Sequence, residues 1–328
     1  LGSFPVAEIL KPPAKGQTIS MMKFLEKNSF TENKIKQAIK KFGYAPEHNY
    51  YWYHYSEGIG GFEEKKLKKQ RNIFVLWPDG SGILTKESSE EFYIFSQPLA
   101  LPEKRLEILK EYVTEVILGG RVKKVTLEIE TIYYARLIKL LPMVLMALPV
   151  QYSLISPIMN FAKFDPKLPG KKFKYIRKAE NKFRKTYAIE IIDAKEIPKK
   201  NLFGLIDRWK EARGGQDKAA EMGYRNIIRA GWKGTDHAHA FKVDGVIRGL
   251  NAGWRIPNSN RYYAAIGMHD YALPDFGELL YLEDLRWMKA QGYEEADMGG
   301  GEESLTQFKN KFGPSKWYET KIFTIVKK

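Results

Sequence analysis

The chain contains no cysteine. Disulfide frameworks, thiolate zinc sites, iron–sulfur clusters and cysteine nucleophiles are therefore all excluded. Glycine and proline, with 27 and 16 of 328 residues, are at ordinary levels, which excludes collagen-like and low-complexity chains. No apolar run reaches the ~20 residues of a membrane-spanning helix. The most apolar one, residues 137–150, contains Lys139 and two prolines, and we expect it to be buried core. The first residues show no signal-peptide pattern.

Standard catalytic motifs are missing as well. The sequence has no phosphate-binding P-loop, no G-x-S-x-G nucleophile turn and no H-E-x-x-H zinc helix. His237 and His239 are spaced to share one face of a strand with Asp236 nearby, but no further ligand accompanies them. We therefore expect neither a metal ion nor a bound cofactor.

A large excess of positive charge is the most informative feature that is present. Lys and Arg total 54 against 39 Asp and Glu, which gives a formal net charge of +15. This excess favours a polyanionic partner such as nucleic acid, anionic lipid or a phosphorylated substrate, although a generally lysine-rich surface would give the same count. With 328 residues, of which 44% are hydrophobic, the chain is long enough for two packed domains.

Hydrophobic patterning predicts nearly the same order of elements in both halves. After an extended arm in residues 1–20, strands are expected at residues 49–55, 71–77, 82–85, 91–96, 123–130, 187–192, 238–243, 246–256, 261–268, 294–298 and 317–326. Helices are expected at residues 29–41, 103–118, 132–141, 202–212, 279–290 and 304–312. This order is typical of a GNAT-type acyltransferase domain. The approximate duplication predicts an α/β (α+β) fold of two GNAT-like units, residues 21–160 and 161–328, with mixed, largely antiparallel sheets.

The second unit opens with a strongly basic segment, residues 170–185, which carries eight basic residues and one acid. As a helix it would place Phe173, Ile176, Ala179 and Phe183 on one apolar stripe, with the lysines away from it. Neighbouring like charges repel unless an anion neutralises them, so this helix is predicted to contact an anionic substrate. The alternative is a solvated helix face. The candidate contact residues are Lys171, Lys172, Lys174, Arg177, Lys178, Lys182 and Arg184.

A second distinctive segment lies near the C-terminus. A predicted strand ends at Asp297, and a helix carrying Phe308, Lys309 and Phe312 follows. Three consecutive glycines separate the two, namely Gly299, Gly300 and Gly301. Such glycines leave backbone N–H groups open to an anion, and the next helix N-terminus adds positive potential. Phe308 and Phe312 are four residues apart and would anchor the helix, which brings Lys309 near the glycine turn. Ordinary amphipathic packing would give the same pattern.

This C-terminal segment has an aspartate, then a glycine turn, then the pattern FK-x-x-FG. In this order the three features resemble the C-terminal motif of Fem-type peptidoglycan aminoacyltransferases. They also resemble the C-terminal domain of bacterial phosphatidylglycerol lysyltransferases. The segment GKKFKYIRKAENKF is similar to the basic helix that precedes the second GNAT unit in these proteins, and the matches cover roughly residues 157–328. The resemblance implies a tandem-GNAT enzyme that moves an aminoacyl group from aminoacyl-tRNA to an amine or hydroxyl acceptor, on a cell-wall precursor or a lipid head group.

The resemblance also implies roles for single residues. The lysine of the FK motif stabilises charge at the transferred acyl group in Fem-type enzymes, and that position is Lys309 here. Independently of the resemblance, the transfer needs a proton acceptor, and the candidates are Asp236, Glu278 and Asp297. The three glycines, the basic helix and Tyr281 are expected to bind substrate. We expect a cytoplasmic protein whose partners are aminoacyl-tRNA and a phosphorylated or lipid-linked acceptor, with peripheral contact to the anionic inner membrane face.

Two other functions are compatible with the sequence. The first is an acyl-CoA-dependent N-acyltransferase of the GNAT type with a coenzyme A thioester as donor, although the Gln/Arg-x-x-Gly-x-Gly/Ala pyrophosphate motif is missing. The second is a non-catalytic binder of RNA or of an anionic surface. No RNP-type aromatic motif supports it.

Overall fold

The computed structural model describes residues 22–57, 70–213, 221–301 and 303–328, so the arm expected in residues 1–20 lies outside the described part. The first half of the chain contains β1 (Lys23–Glu26), α1 (Ser29–Phe42), α2 (Tyr50–Tyr55), β2 (Arg71–Leu76), β3 (Gly82–Glu87), β4 (Glu91–Ile94), α3 (Arg105–Leu118), β5 (Lys124–Glu130), α4 (Thr131–Leu140), β6 (Leu145–Ala147) and β7 (Tyr152–Asn160). The second half contains α5 (Lys174–Thr186), β8 (Ile189–Asp193), α6 (Lys199–Ala212), α7 (Glu221–Arg229), β9 (His237–Val243), β10 (Val246–Arg255), β11 (Arg261–His269), α8 (Phe276–Ala290), β12 (Glu295–Asp297), α9 (Glu303–Asn310) and β13 (Lys316–Lys327).

The strands form one continuous mixed sheet. Its order is β1-β2-β3-β4-β5-β13-β7-β12-β11-β10-β9-β8, with β6 attached to β13. Only β4 with β5 and β11 with β12 pair in parallel among the described strands, and the other neighbours are antiparallel. Strands β1 to β5 thus have the same arrangement as β8 to β12. The predicted fold class, two GNAT-like units with largely antiparallel sheets, is confirmed.

The last strands of the two halves are exchanged. β13, at the end of the second half, pairs with β5 of the first half from Thr320 opposite Glu130 to Val326 opposite Lys124. β7, at the end of the first half, pairs with β12 of the second. The two exchanged strands also pair with each other. The boundary near residue 160 remains a prediction. In space, each half of the continuous sheet is completed by a strand from the other half of the chain.

The hydrophobic cores follow this exchange. The core of the first unit packs α3, including Tyr112 and Val116, against the sheet, and it includes Phe323 and Ile325 from β13. The core of the second unit includes Met159 from β7. Phe323 and Ile325 are fully buried, and burial of such a side chain contributes about 1.5 to 3 kcal/mol. The exchange is therefore stabilised by side-chain packing as well as by backbone hydrogen bonds.

Two sequence-based expectations are wrong. Residues 49–55 were expected as a strand, but Tyr50–Tyr55 is a helix, because the Asn49 side chain accepts hydrogen bonds from the first backbone amides of α2. The apolar run at residues 137–150 was expected to be buried core. Leu137 and Leu145 are buried, but Met143 is 89% exposed and most of the other large side chains are exposed as well. In the described residues no helix has both the length and the hydropathy of a membrane span.

Candidate functional site

A cavity of about 560 Å³ opens over the middle of the sheet, where strands of both halves meet. The strands contribute Glu128 and Glu130 from β5, Ser156 from β7, Tyr263 from β11, Asp297 from β12 and Tyr318 from β13. The opposite wall comes from the segment between α1 and α2, with Tyr44 and Glu47, and from Trp52 and Tyr224. Because the lining residues come from both halves, the exchange of β7 and β13 builds this cavity.

Strand alternation places two glutamates in the cavity. Along β5, Leu127 and Ile129 point into the core of the first unit and are buried. The residues that alternate with them, Glu128 and Glu130, point to the other face and line the cavity. The Thr320 hydroxyl of β13 donates a 2.5 Å hydrogen bond to Glu128. Two carboxyl groups therefore face the cavity from one central strand, and that of Glu128 is held by Thr320.

Asp297 lies at the end of β12 and is completely buried. One of its carboxylate oxygens accepts a 2.9 Å hydrogen bond from the backbone N–H of Gly299, and the other accepts a 2.7 Å bond from the Tyr318 hydroxyl. Burial raises the pKa of the Asp297 carboxyl, and these two hydrogen bonds oppose the change. The carboxylate thus holds the start of the glycine turn against β13.

Lys309 lies beneath the same turn on α9. Its Nζ donates a 2.8 Å hydrogen bond to the carbonyl oxygen of Gly299, and only 2% of the residue is exposed. Burial lowers its pKa to about 8, against the opposing effect of the Asp297 charge. Gly299 has φ +77°, a left-handed conformation that glycine adopts without strain. Gly300 lines the cavity and Lys309 does not, so the Lys309 ammonium lies behind the glycine turn and not in the cavity itself.

The titratable groups of the cavity have shifted pKa values. Burial, together with the nearby Glu128, raises the pKa of Glu47 to about 8. Burial also raises the pKa values of Glu128 and Glu130. Burial lowers the pKa of Lys86, which also lines the cavity, to about 7. A site in which one acid, Glu47, holds its proton and one lysine, Lys86, loses its proton near neutral pH is suited to proton transfer.

The other candidate proton acceptors lie outside the cavity. Glu278, in the first turn of α8, accepts a 2.8 Å ion-paired hydrogen bond from Lys311. Asp236 is exposed before β9 and accepts a hydrogen bond from the backbone N–H of Arg255. Tyr281 packs against Phe308 and Phe312 in the core of the second unit. The structure therefore brings Asp297, Lys309 and the glycine turn together, and it places Glu278, Asp236 and Tyr281 elsewhere. Their roles in catalysis or binding remain predictions.

The basic segment is a 3₁₀ turn followed by α5, which packs on α8 through the buried Ile176, Ala179 and Phe183. Phe183 stacks on Phe276 at 5.1 Å. Of the predicted anion contacts, Arg177, Lys182 and Arg184 already bond to protein groups. The others, Lys171, Lys172, Lys174 and Lys178, are exposed. The helix thus presents a basic surface outside the cavity, and its role in substrate binding remains a prediction.

The histidine pair does not form a metal site in the described residues, where no group of metal-ligating side chains is found. His237 instead lies between the Tyr262 hydroxyl, at 2.5 Å, and the Asp284 carboxylate, at 3.1 Å. This buried network connects β9, β11 and α8. The hydrogen bonds of His237 in this network are consistent with a structural role.

Among the cavity residues that the sequence did not point to are Glu47, Lys86, Glu128 and Glu130. A signal for two of them was available, because Glu128 and Glu130 alternate with buried residues on a predicted strand. The sequence around Glu47 and Lys86 contains no pattern that would indicate a cavity residue. They reach the cavity only through contacts between segments that are far apart in the chain.

The family and structural comparisons agree with the fold. Residues 170–310 match the family model described as an acetyltransferase (GNAT) domain. A search of curated protein sequences finds no significant match. The fold is similar to the C-terminal domain of a putative lysylphosphatidylglycerol synthetase from Agrobacterium fabrum, with TM-score 0.64, 12% identity and 92% of each chain covered.

Two further solved structures have the same architecture. L-PGS from Bacillus licheniformis is similar with TM-score 0.62, 16% identity and 92% of each chain covered. FemX is similar with TM-score 0.59 and 12% identity, over 91% of this chain and 96% of that one. The match over residues 170–310 supports an acyltransferase, and the solved structures show a GNAT-like fold over most of the chain. Its tandem architecture is that of FemX and of the lysylphosphatidylglycerol synthetase domain, so the resemblance predicted from the sequence is confirmed.

Proposed function

We propose that this protein transfers an aminoacyl group from aminoacyl-tRNA to an amine or hydroxyl acceptor on a cell-wall precursor or lipid head group. The observation that carries the proposal is the cavity between the two units, lined by Glu47, Glu128, Glu130 and Asp297. An aminoacyl ester brings an α-ammonium group, which carboxylates stabilise, whereas a simple acyl thioester brings no cation. The volume of about 560 Å³ lies in the range of small-molecule sites.

The reaction needs little more than positioning and proton transfer, because the ester of the donor is already activated. The acceptor amine attacks the ester carbonyl, the C–O bond to the tRNA ribose breaks, and the ribose oxygen leaves with a proton. We assign the removal of the amine proton to Glu47, because its raised pKa of about 8 matches a base that works near neutral pH.

From behind the glycine turn, the charge of Lys309 would stabilise the negative charge that develops on the carbonyl oxygen. Its ammonium lies under the Gly299 turn at 2.8 Å from the Gly299 carbonyl oxygen. A buried positive charge stabilises an oxyanion more strongly than an exposed one, because little water screens it. Asp297 keeps the turn in place and is a positioning residue in this proposal.

The basic helix would bind the phosphates of the tRNA. Lys171, Lys174 and Lys178 are exposed on it, and phosphate contacts supply most of the affinity for nucleic acids. The cavity would then receive only the aminoacyl end of the donor. This division explains why one protein combines a basic surface with an acidic cavity.

The test is incubation of the purified protein with tRNAs charged with radiolabelled amino acids and with a mixed acceptor extract, read by mass spectrometry. We expect labelled acceptor to form and ribonuclease treatment of the donor to abolish it. Thermal stabilisation by coenzyme A, with no transfer from tRNA, would replace the proposal by the acyl-CoA function. Salt-sensitive RNA binding without turnover from either donor would replace it by a binding function.

A further inference from the structure

An exposed apolar surface lies where α4 ends and β6 begins, on the first unit. We call it the apolar corner, and it consists of Leu140, Met143, Val144, Met146 and Leu148. Met143 is 89% exposed, and the other four are between 36% and 49% exposed. Five large exposed hydrophobic residues within nine positions are unusual for a protein surface that contacts only water.

The geometry of β6 explains why these side chains cannot turn inward. β6 pairs with the end of β13, with Leu145 opposite Lys327 and Ala147 opposite Ile325. Leu145 and Ala147 pack into the core of the first unit. Strand alternation then directs Val144, Met146 and Leu148 to the opposite face. The apolar corner is thus a fixed consequence of the fold.

The surroundings of the apolar corner are positively charged. Residues 131–164 contain no Asp or Glu, but they include Arg136 and Lys139, which are exposed. Lys327 and Lys328 lie beside the corner, since the backbone N–H of Lys328 donates to the carbonyl oxygen of Val144. Lys124 is also close, on the neighbouring strand, but it is paired with Glu91.

We propose that the apolar corner docks this protein onto the surface of a lipid bilayer rich in anionic head groups. Exposed apolar side chains that enter the head-group region, surrounded by lysines that contact anionic lipids, are the two features of peripheral membrane binding. A nucleic acid would neutralise the lysines but would leave Met143 and Val144 exposed to water. A second copy of the chain would bring the same lysines close to one another, which like-charge repulsion opposes.

The inference does not depend on the proposed aminoacyl transfer. The apolar corner is located on β6 and the end of α4, and none of its residues lines the cavity. Membrane docking can therefore be tested without any donor or acceptor. It would bring a lipid-linked acceptor to the protein but would not itself select one.

The experiment is co-sedimentation of the full chain with three kinds of vesicle. One is pure phosphatidylcholine, one is an equal mixture with phosphatidylglycerol, and one is an equal mixture with phosphatidylserine. We expect binding to both anionic mixtures and none to pure phosphatidylcholine, because docking recognises charge. Binding to phosphatidylglycerol vesicles alone would indicate recognition of one lipid as a substrate and would overturn the docking proposal.

Two double variants test the apolar contact and the charge attraction separately. M143S with V144S removes apolar side chains, and K139E with K327E reverses two charges. We expect each to weaken binding to anionic vesicles at least about tenfold. The matched control is F30S, on α1, where Phe30 is 57% exposed and lies in another part of the first unit. We expect this control to bind like the unchanged protein. All of these positions are exposed, and thermal melts establish that each variant is folded.

Three results would overturn the proposal. The first is the absence of sedimentation with either anionic mixture. The second is an equal loss of binding in F30S. The third is a dimer in analytical ultracentrifugation that M143S with V144S converts to a monomer, without any vesicle binding, because the occupant of the apolar corner would then be a second copy.

Discussion

Asp297 and Lys309 both bond to the backbone of Gly299, one to its N–H and the other to its carbonyl oxygen. The Asp297 carboxylate accepts a hydrogen bond from the Gly299 N–H at 2.9 Å, and the Lys309 ammonium donates one to the Gly299 carbonyl oxygen at 2.8 Å. An acid and a base that are both buried thus fix a left-handed turn at the cavity wall. Their opposite charges compensate each other across one peptide, which makes the burial of both tolerable.

The first prediction concerns Lys309. In K309M we expect turnover to fall about 100-fold, because the positive charge near the developing oxyanion is lost. The free energy of unfolding should change by no more than about 2 kcal/mol, since methionine fills similar space and a buried hydrogen bond is lost. Steady-state transfer assays and urea unfolding measure the two effects. The matched control is K289M, because Lys289 also donates to a backbone carbonyl, that of Phe164. Unchanged turnover in K309M would refute the proposed role.

The second prediction concerns the pH dependence due to Glu47. Its pKa is about 8 in the folded protein, against the ordinary glutamate pKa of 4.5. Between these two pH values the unfolded chain releases the proton while the folded protein keeps it, so this group lowers stability as the pH rises. E47Q should therefore match the unchanged protein near pH 4.5 and exceed it at pH 8 by about 1 to 3 kcal/mol.

Urea unfolding at a series of pH values measures this difference. The control is E103Q, because Glu103 is exposed and its replacement should leave the pH profile unchanged. If Glu47 is also the base, E47Q should lose transfer activity at every pH. A difference between E47Q and the unchanged protein that does not vary with pH would contradict the raised pKa.

The third prediction concerns the basic helix. Reversal of Lys171, Lys174 and Lys178 to Glu should weaken tRNA binding, and most strongly at low salt. Each lost phosphate contact should lower the magnitude of the log–log salt slope by roughly 0.7 to 0.9. Filter binding over a range of salt concentrations measures the slope. The control reverses Lys23, Lys40 and Lys110, which are exposed on the first unit. Equal effects of the two triple variants would mean that only the overall charge matters.

The fourth prediction concerns the exchanged strands. Residues 1–160 expressed alone should be insoluble or poorly folded, because the edge of β5 loses its partner and the core loses Phe323 and Ile325. Co-expression of residues 1–160 with 161–328 should restore a complex that purifies through a tag on either half. Circular dichroism and gel filtration measure the outcome. A first half that is soluble and unfolds cooperatively by itself would show that β13 is dispensable.

Local patterns in the sequence predict most elements correctly. β5 follows from the alternation of Leu127 and Ile129 with two glutamates, and α5 follows from the spacing of Ile176, Ala179 and Phe183. The order of these elements was enough to predict two GNAT-like units. The position of Lys309 next to the glycine turn was also predictable from the Phe308 and Phe312 pair, and in the structure Phe308 on α9 and Phe312 just beyond its end both pack against Tyr281.

Long-range pairing was not predictable from the sequence. Nothing in residues 316–327 indicates that this strand pairs with β5, about 190 positions earlier in the chain. The cavity depends on that pairing, so Glu47 and Lys86 could not be recognised as its residues. Residues 50–55 were also predicted wrongly, because five aromatic side chains favour a strand. The Asn49 cap and the packing of Tyr55 against the second unit stabilise a helix instead.

The continuous ladder of hydrogen bonds through β5, β13, β7 and β12 leaves the two halves without a hinge. If the donor is a charged tRNA, as proposed, the halves cannot swing apart to admit its aminoacyl end without breaking the sheet. Any widening of the cavity would therefore have to come from a shift of the opposite wall, the segment between α1 and α2. That segment is attached to the second half by separate side-chain bonds, such as those from Asn49 to Gly234 and from Trp254 to Pro46. The sheet is thus a fixed wall of the cavity, whereas the segment between α1 and α2 is held to the second half by side-chain hydrogen bonds whose loss would leave the sheet intact.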